Sequence, residues 1–564
     1  MTGRRHFLQS SLGSLFALQQ LKASSRSELR CDVAVIGGGT GGFAAALAAL
    51  RVGSRVVLTE ETDWLGGQLT AQSVPPDEHP WIEHFGCTQS YRRYREGVRS
   101  YYRNNFPLTS TARNRVDLNQ GNGDVSRLTH EFRVSVAVLE EMLAPYMSNG
   151  QLTLLLRHVP ESAEVTRDHV QVVTVRDTIT GSKRAVSASY FIDATELGDL
   201  LPLTRTEFIT GAESKSRTGE MHAPTSAQPA NSQSFTFCFA VDHVAGEDHT
   251  IDKPAGYARW RDYVPQLSPP WPGKLFSWTT ATPRTLKRTD MAFVPNPQNG
   301  VETHGYNLWT YRRIADARNF EGANYRSDIT LVNWPQNDFW LADLVTCPLD
   351  RKAELLNQAK QLSLSFLYWM QTDAPAPNGR SGWKGLRLRN DIVGTEDGLA
   401  KYPYIRESRR IEAEFTVLEK HVGTEMRAHE LGVRAEDATA ERFPDSVGVG
   451  SYRIDLHPSA AGTNYIDISS LPFQIPLGAL IPKRMENLLP ASKNIGTTHI
   501  TNGCYRLHPV EWNIGEAAGA LAAYSIRTGQ TPRAVRNGEK LLKDFQASLL
   551  LQGFELEWPR IHPV

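Results

Sequence analysis

The sequence predicts an α/β protein in which a mostly parallel, nucleotide-binding sheet is interrupted by a second, β-rich domain. Two observations predict this class. A strand–glycine turn–helix–strand unit stands near residue 33, and a strand–turn–helix pattern returns near residue 487. In between lies a long irregular stretch, and 564 residues are too many for one compact core. The predicted divisions are a tail (1–29), the first part of the nucleotide domain (30–203), a substrate or cap domain (204–470), the C-terminal part of the nucleotide domain (471–545) and a second tail (546–564).

The composition excludes several classes of protein. The chain has 61 basic and 61 acidic residues, so it lacks the positive charge with which proteins attract nucleic acid. No run of about 18 apolar residues occurs, and we expect no transmembrane segment. The five cysteines are scattered, without a C-x-x-C pair. This pattern argues against a disulfide scaffold, a dithiol redox centre and a metal site.

The N-terminus resembles a twin-arginine export signal. Arg4 and Arg5 precede the apolar pair Phe7-Leu8, and a short, weakly apolar stretch follows from residue 12 to residue 21. This route carries folded proteins to the periplasm. The alternative is a basic tail on a cytoplasmic protein, because Lys22 and two glutamines interrupt the apolar stretch.

The first predicted unit begins with a buried strand, Val33–Ile36, and continues with an alanine-rich helix to Leu50. A second strand, Val56–Leu58, leads to Glu60. The turn between the first strand and the helix carries glycines in G-x-G-x-x-G spacing: Gly37, Gly39 and Gly42.

This glycine spacing has a physical reason. Gly37 permits a tight turn, Gly39 lets a diphosphate approach bare backbone, and Gly42 lets the helix pack close to the strand. The diphosphate then lies at the helix N-terminus, where unpaired N–H groups favour negative charge. Glu60 follows the first glycine at roughly the 20-residue separation expected for an acid that accepts from a ribose hydroxyl. The sequence therefore predicts a dinucleotide site; the alternative is a glycine-rich turn in an ordinary α/β unit.

Residues 64–72, WLGGQLTAQ, follow this unit. Gly66 and Gly67 allow backbone to pass a planar ligand, and Gln68 can hydrogen-bond to it. An acid followed by L-G-G resembles the FAD-binding domain of glutathione-reductase-like flavoproteins. The continuation, with FGCTQSYRRYREGVRSYYR at 85–103, is similar to the FAD-dependent oxidoreductase family. This resemblance implies FAD as cofactor and a Rossmann-like FAD-binding domain with an interleaved β-rich substrate/cap domain.

A second motif of the family ends the first part of this domain. The apolar strand 189–193 leads into Ala194-Thr195 and, four residues later, Asp199. The resemblance implies that these three residues lie against the adenosine half of FAD. Glu196 stands where the family usually has glycine, which puts that position's role in doubt.

Further elements follow from periodicity and turn residues. We predict a helix from Ser126 to Pro145, strands at Leu152–Leu156 and Ser234–Val241, a hairpin of 170–177 with 185–188, and a helix from Ala353 to Met370. Residues 203–233 lack a sustained period and are interpreted as a surface insertion able to cover a site.

The stretch 255–385 holds eight of the twelve tryptophans. Such an aromatic insertion is typical of a substrate cap, whose walls suit flat organic molecules. The alternative is that the tryptophans fill the core of a β-rich domain.

Several charged segments have two interpretations. The loop 75–79 either lies near the flavin or is a solvated turn. The Arg- and Tyr-rich segment 87–105 is predicted to be an amphipathic helix whose charged face is exposed to solvent. In the run 404–411 only Arg406 is predicted as a site residue, the rest forming a buried ion network. His457 either faces the substrate or is a hydrogen-bonded core histidine, and the second interpretation is favoured.

The C-terminal block 487–523 is similar to the segment by which the family returns to the flavin. The resemblance implies a helix, here 511–523, whose N-terminus faces the isoalloxazine ring, with the small residues Gly515 and Ala518 at the cofactor. The residues placed nearest the ring are His499, Arg506 and His508, predicted as catalytic, with one histidine as general base. Alternatively each is a structural polar residue.

No second G-x-G-x-x-G unit with a following acid occurs, which disfavours a separate nicotinamide domain. The sequence thus predicts an FAD-dependent oxidoreductase, of dehydrogenase or oxidase type. A small organic substrate transfers hydride to flavin N5, and an unidentified acceptor reoxidises the flavin. The alternatives are an NAD(P)H-fed flavin monooxygenase or reductase, and a non-redox FAD-binding protein.

Overall fold

The computed structural model describes residues 28–297, 306–322 and 325–559. The twin-arginine motif lies outside them. The principal strands are β1 (Leu29–Ile36), β2 (Val56–Glu60), β3 (Leu152–Leu156), β4 (His158–Thr166), β5 (His169–Asp177), β6 (Lys183–Asp193), β7 (Phe239–His243), β8 (Arg313–Ala315), β9 (Ile329–Val332), β10 (Leu386–Leu388) and β11 (Leu488–Pro490). The principal helices are α1 (Thr40–Arg51), α2 (Gln89–Asn105), α3 (Phe132–Ser148), α4 (Leu349–Thr372), α5 (Thr424–Leu431), α6 (His499–Tyr505), α7 (His508–Thr528) and α8 (Glu539–Leu551).

The larger sheet has the order β3-β2-β1-β6-β5-β4, and β11 joins it beside the end of β6. Strands β1, β2, β3, β6 and β11 pair in parallel, whereas β4, β5 and β6 form an antiparallel meander. Parallel strands end at one edge of the sheet, so the residues after β1, β2 and β6 meet there. This edge positions the site.

The two halves of the domain, far apart in sequence, are joined by close helix packing. A Cβ atom built on Gly515 of α7 would lie 1.9 Å from the Gly41 carbonyl oxygen of α1, and one on Gly519 would lie 2.0 Å from that of Ala45. The small residues therefore let the two helix backbones touch.

The interleaved region contains an antiparallel sheet in the order β8-β9-β7-β10, packed near α4. Most of its tryptophans are buried in the core, and Trp278, Trp369 and Phe293 contact one another through their rings. The core-filling alternative thus describes most of them, although Trp334 also lines a cavity. Short strand pairs complete the region: 208–209 with 410–411, 235–236 with 338–339, 279–281 with 288–290, 446–450 with 473–476 and 454–456 with 466–468.

Four element predictions need correction. The helix predicted from Ser126 begins at Phe132, because the preceding residues form turns, and it continues to Ser148 beyond Pro145. The insertion 203–233 is not only a surface segment, since Glu213 and Glu220 are buried. The Arg/Tyr helix α2 buries two arginines, Arg95 and Arg99, which pair with Glu83.

The predicted tail is folded structure as far as residue 559, where the described residues end. Helix α8 continues to Leu551, and the Trp558 indole donates to the Phe473 carbonyl oxygen at 2.8 Å. Among the described residues, no helix combines the length and apolar character that a membrane span requires.

Candidate functional site

A cavity of about 660 Å³ lies at the sheet edge where β1, β2 and β6 end. Its lining includes residues from each of those strand ends, namely Gly37–Gly39, Glu60 and Ala194–Glu196, together with Gly67. Seven of the twelve predicted cofactor residues line it, namely Gly37, Gly39, Glu60, Gly67, Ala194, Thr195 and Asp199, and an eighth, Gly42, supports the turn from behind.

The glycines of the first turn are required by close contacts. Gly37 has φ +103°, and a Cβ there would lie 2.2 Å from the Ala194 carbonyl oxygen. A Cβ on Gly42 would lie 2.0 Å from the Gly37 carbonyl oxygen. Gly39, the N-cap of α1, makes no side-chain cap hydrogen bond. The N-terminus of α1 therefore faces the cavity with N–H groups that the helix itself cannot satisfy, which suits a diphosphate.

The L-G-G segment, residues 65–67, lies opposite the glycine turn at the first cavity. Gly66 and Gly67 both have positive φ, +109° and +53°, and a Cβ on Gly67 would lie 2.8 Å from the Gly39 Cα. The Gly66 N–H donates to the Gly38 carbonyl oxygen at 2.8 Å. Any larger side chain here would close the space over the α1 N-terminus.

Glu60 lies at the end of β2 with its carboxylate buried. Its Oε2 accepts from the Gly38 N–H at 3.1 Å, and its Oε1 accepts from the Thr62 N–H and hydroxyl at 2.8 and 2.7 Å. Burial raises the pKa of Glu60 to about 7, although the Thr62 hydrogen bonds oppose that rise. The side chain thus fixes the glycine turn and still lines the cavity, where a ribose hydroxyl would bind.

A buried cation compensates the carboxylates of this cavity. Lys493, which follows β11, lies 2.6 Å from Glu196 Oε2 and 3.3 Å from Glu511 Oε2. Asp199 pairs with Arg409 at 3.0 Å. Glu196, at the position usually held by glycine, points at the space between Gly39 and Gly67. Lys493 offsets the charge that this carboxylate brings to a phosphate site.

A second cavity, of about 560 Å³, lies among the interleaved domain and the C-terminal block. Arg312, Arg406 and Arg506 line it, together with Asp77 and His457. Aromatic walls come from residues that include Trp334, Tyr404 and Tyr465.

The two cavities share a short wall. Residues 71 and 72 line the first cavity, and Asp77, five residues on, lines the second. The Gln68 amide donates to the Arg506 carbonyl oxygen at 2.9 Å and to Glu511 Oε2 at 2.6 Å. The segment 68–77 and the start of α7 therefore separate the two spaces by one layer of residues.

The structure separates the three predicted catalytic residues. Arg506 lines the second cavity, donating to the Tyr404 hydroxyl at 2.8 Å and pairing with Asp455 at 3.2 Å. His499 lines neither cavity: its Nδ1 lies 2.8 Å from Glu407 Oε1 within a buried ion network. Glu407 thus holds the His499 ring within this network and away from the lining of both cavities.

His508 is fully buried at the first turn of α7 and lines neither cavity. Its Nδ1 accepts from the Asp77 N–H at 3.0 Å, and its Nε2 has no hydrogen-bond partner among the described residues. Burial, with the positive charge of Arg312, lowers the pKa of His508 well below its usual value. The ring is thus neutral with its proton on Nε2, so it presents a hydrogen-bond donor and not a general base.

Gly515 and Ala518 do not line either cavity. Gly515 packs on the Gly41 backbone, and Ala518 is buried in the same helix. Their predicted cofactor role is corrected to helix packing, since the small-residue face of α7 is used against α1. Gln68 also lies outside the lining of the first cavity, where its amide hydrogen-bonds to the Arg506 carbonyl oxygen and to Glu511.

Sequence reasoning missed part of the second cavity. Arg406 lines it as predicted, but so does His457, whose Nδ1 lies 2.7 Å from Asp338 and whose Nε2 lies 3.5 Å from Asp455. Arg312 was not singled out at all. No local motif marks it, and only its place between β8 and the loop at Asp77 brings it to the cavity.

Comparisons with known proteins identify a family for this chain. A family model described as "FAD dependent oxidoreductase" matches residues 32–549. No curated protein matches. Solved structures that are similar include L-proline dehydrogenase from P. horikoshii (18% identity, 33% of this chain and 24% of that chain, TM-score 0.18) and a flavocytochrome c3 fumarate reductase (16%, 32% and 36%, 0.19).

Thermovibrio ammonificans THI4 is a further similar structure (14% identity, 40% of this chain and 84% of that chain, TM-score 0.21). The alignments span about a quarter to two fifths of the length of the first three solved structures.

Proposed function

Because the chain belongs to the family of FAD dependent oxidoreductases, we propose that it oxidises a small organic substrate bound in the second cavity. FAD is the cofactor, and the residues of the first cavity fit it: an open helix N-terminus for the diphosphate and a buried acid for the ribose. When bound, FAD supplies a hydride acceptor at N5, and a second, unidentified molecule takes the electrons onward.

The observation that carries this proposal is the shared wall between the two cavities. Gly39 and Gly67 would hold the diphosphate of the dinucleotide, and the segment 68–77 that follows reaches the second cavity at Asp77. The start of α7 borders the same wall through the contacts of Gln68 with Arg506 and Glu511. A substrate in the second cavity therefore lies next to the cofactor's path.

Two histidines supply polar groups there. His508 Nε2–H makes no hydrogen bond of good geometry to a described residue and can donate to an oxygen or nitrogen atom at the wall. His457 lies between Asp338 and Asp455: its Nδ1–H donates to Asp338 at 2.7 Å, which leaves the Nε2 lone pair, 3.5 Å from Asp455, available for a proton. We propose His457 as the group that takes the substrate proton, because Asp77 already occupies the His508 lone pair.

The first test is the visible spectrum of the purified protein, followed by anaerobic mixing with panels of hydroxy acids, amines and sugars. We expect a yellow protein whose flavin absorbance is bleached by one substrate class. Bleaching by NAD(P)H alone would support the reductase or monooxygenase alternative. Flavin that no compound reduces would support the non-redox alternative, and a colourless protein that does not take up FAD would contradict the proposal.

A further inference from the structure

The second cavity contains an unusual excess of buried hydrogen-bond donors without partners. These side-chain N–H groups make no hydrogen bond to any described residue: Arg312 Nε and Nη1, Asn333 Nδ2, Trp334 Nε1, Arg406 Nε and Arg506 Nε. All five residues are at least nine-tenths buried. Because an unsatisfied buried donor costs about 1–3 kcal/mol, such a cluster indicates a ligand that supplies acceptors.

Most of the acceptors around the cavity are occupied, although the Tyr465 hydroxyl and Thr280 Oγ1, which line it, have no partner among the described residues. Asp338 accepts from the Thr236 hydroxyl, and it lies 2.7 Å from His457 and 3.1 Å from Arg406. Asp455 lies 3.2 Å from Arg506. Burial raises the pKa of Tyr404 and Tyr465, so their hydroxyls remain protonated and add no negative charge. A small movement would bring Arg312 Nη1, 3.5 Å from Asp77 Oδ1, into a hydrogen bond, whereas the other five unpaired donors have no partner among the described residues.

The charges of the cavity leave a small positive surplus. Its lining arginines are Arg284, Arg312, Arg406, Arg453 and Arg506, and the aspartates that face them are Asp77, Asp338, Asp455 and Asp467. Arg312 has the weakest pairing of the buried ones, because its Nη1 lies 3.5 Å from Asp77 Oδ1. One negative charge on a ligand would balance the set.

From these observations we propose that the second cavity holds the carboxylate of a small organic monocarboxylate, with Arg312, Arg406 and Arg506 as the anion-binding side chains. The inference deepens the proposed function and rests on it for the identification of this ligand as the substrate. A planar carboxylate matches the fork of guanidinium N–H groups. The aromatic walls at Trp334 and Tyr465 suit an apolar or flat body attached to it.

The test uses the FAD-loaded protein and matched pairs of probes: benzoate with benzamide, phenylacetate with phenylacetamide, and butyrate with butyramide. Binding is measured by calorimetry and by perturbation of the flavin absorption spectrum. We expect at least one acid to bind at least tenfold more tightly than its amide. Equal binding of acid and amide, or no acid binding at millimolar concentration, would overturn the inference. Sulfate that competes as well as the acid would overturn the carboxylate assignment.

A variant test locates the binding site. Asn333→Asp keeps the oxygen that accepts from Arg406 Nη2 at 3.2 Å, but it replaces an unpaired donor with negative charge. We expect at least a tenfold loss of acid affinity with FAD content unchanged. Asn149→Asp, the same change on the surface, is the control. Trp334→Phe, which removes an unpaired N–H and part of the aromatic wall, should weaken binding of the acid severalfold and keeps the test valid if the first variant folds poorly.

The inference and the proposed function fail in distinguishable ways. A yellow protein bleached by an amine or sugar without a carboxylate would leave the oxidoreductase function intact and overturn the carboxylate site. Acid binding that depends on Asn333, in a protein whose flavin no compound reduces, would support the anion site and contradict its role as substrate site. Acid binding unaffected by Asn333→Asp would place the acid elsewhere and overturn the inference.

Discussion

At the scale of single residues, the glycines of the first turn differ in what constrains them. Gly37 has φ +103° and touches the Ala194 backbone, so both its conformation and its surroundings exclude a side chain. Gly39 has φ −61°, which any residue adopts. A Cβ on Gly39 would meet only the end of the Glu196 side chain, at 2.7 Å. Gly39 is therefore required by the ligand and not by the fold.

This difference predicts different results for the two alanine variants. Gly37→Ala should lower the free energy of unfolding by several kcal/mol, because backbone must move to admit the methyl group. Gly39→Ala should change stability by less than about 1 kcal/mol yet bind FAD at least tenfold more weakly, and Gly39→Val should abolish FAD retention. Chemical denaturation of the apoprotein and the FAD absorbance per protein measure the two effects. Equal loss of stability in both alanine variants would contradict the distinction.

His508 gives a second prediction at this scale. His508→Asn retains an acceptor for the Asp77 N–H but lacks the Nε2–H, whereas His508→Ala removes both. We expect both variants to retain FAD and to slow anaerobic flavin reduction by about tenfold or more. Only the alanine variant should also lose stability, by about 1–3 kcal/mol, because it leaves a buried N–H unpaired.

The pH profile is the control for this role. Since the pKa of His508 is well below its usual value, the wild-type reduction rate should show no inflection from this residue between pH 6 and 8. An inflection in that range that disappears in His508→Asn would show that His508 titrates and acts as the base. Unchanged reduction in both variants would remove it from the site.

At the scale of elements, the sequence predicted those strands and helices whose residues carry the signal locally. Strand β1, helix α1 and strand β2 follow from apolar runs and glycine spacing, and the structure contains them with nearly the predicted bounds. Strand β4 was missed because Pro160 and two glutamates break its pattern. It is an edge strand with a register shift after Pro160, where a missing N–H is tolerated.

The signal at α7 is also local, which explains why its small residues were assigned to the cofactor. A small-residue face indicates close packing but does not identify the partner, and at Gly515 and Gly519 the partner is α1 rather than a ligand. The positions of His499 and His508 were equally undetermined, because both lie at helix starts only nine residues apart. Their different neighbours, Glu407 and Asp77, come from distant segments.

The α1–α7 contact makes a prediction at this scale. Gly519→Ala places a methyl group 2.0 Å from the Ala45 carbonyl oxygen, so the helices must separate. We expect a loss of unfolding free energy of at least about 2 kcal/mol, because a buried overpacked contact costs about 1–3 kcal/mol and backbone yields poorly. Ala520→Gly, the adjacent reverse change, should cost about 1 kcal/mol through helix propensity alone. A stabilised Gly519→Ala variant would contradict the contact.

At the scale of the whole molecule, the first cavity was largely predictable and the second was not. Gly37, Glu60 and Thr195 follow parallel strands, whose ends meet at one edge by the geometry of the fold. The second cavity joins Asp77, Arg312, Arg406 and Arg506, which belong to four segments of the chain. Their proximity depends on how the interleaved domain folds back, and no spacing in the sequence records that path.

The pH dependence of stability is also a property of the whole chain, because buried histidines and buried carboxyl groups change it in opposite directions. Burial lowers the pKa of His79 and His130 to about 4, so their contribution is present above pH 6.5 and is lost as pH falls toward 4. Burial raises the pKa of Asp193 and Glu220 to about 7, so their contribution is present below about pH 4 and is lost as pH rises through 7.

Two isosteric variants should therefore change the pH dependence of the unfolding free energy in opposite directions. His130→Asn removes a group that only the unfolded chain protonates between pH 6.5 and 4. As pH falls through this range, the variant should therefore lose less unfolding free energy than wild type. The difference should be up to about 1.4 kcal/mol per pH unit. Asp193→Asn should lose less than wild type from pH 4.5 to 7, because no buried carboxyl has to ionise. Urea denaturation of the apoprotein at each pH measures both slopes. Parallel curves for the two variants would show that these groups do not titrate with the pKa values that their burial dictates.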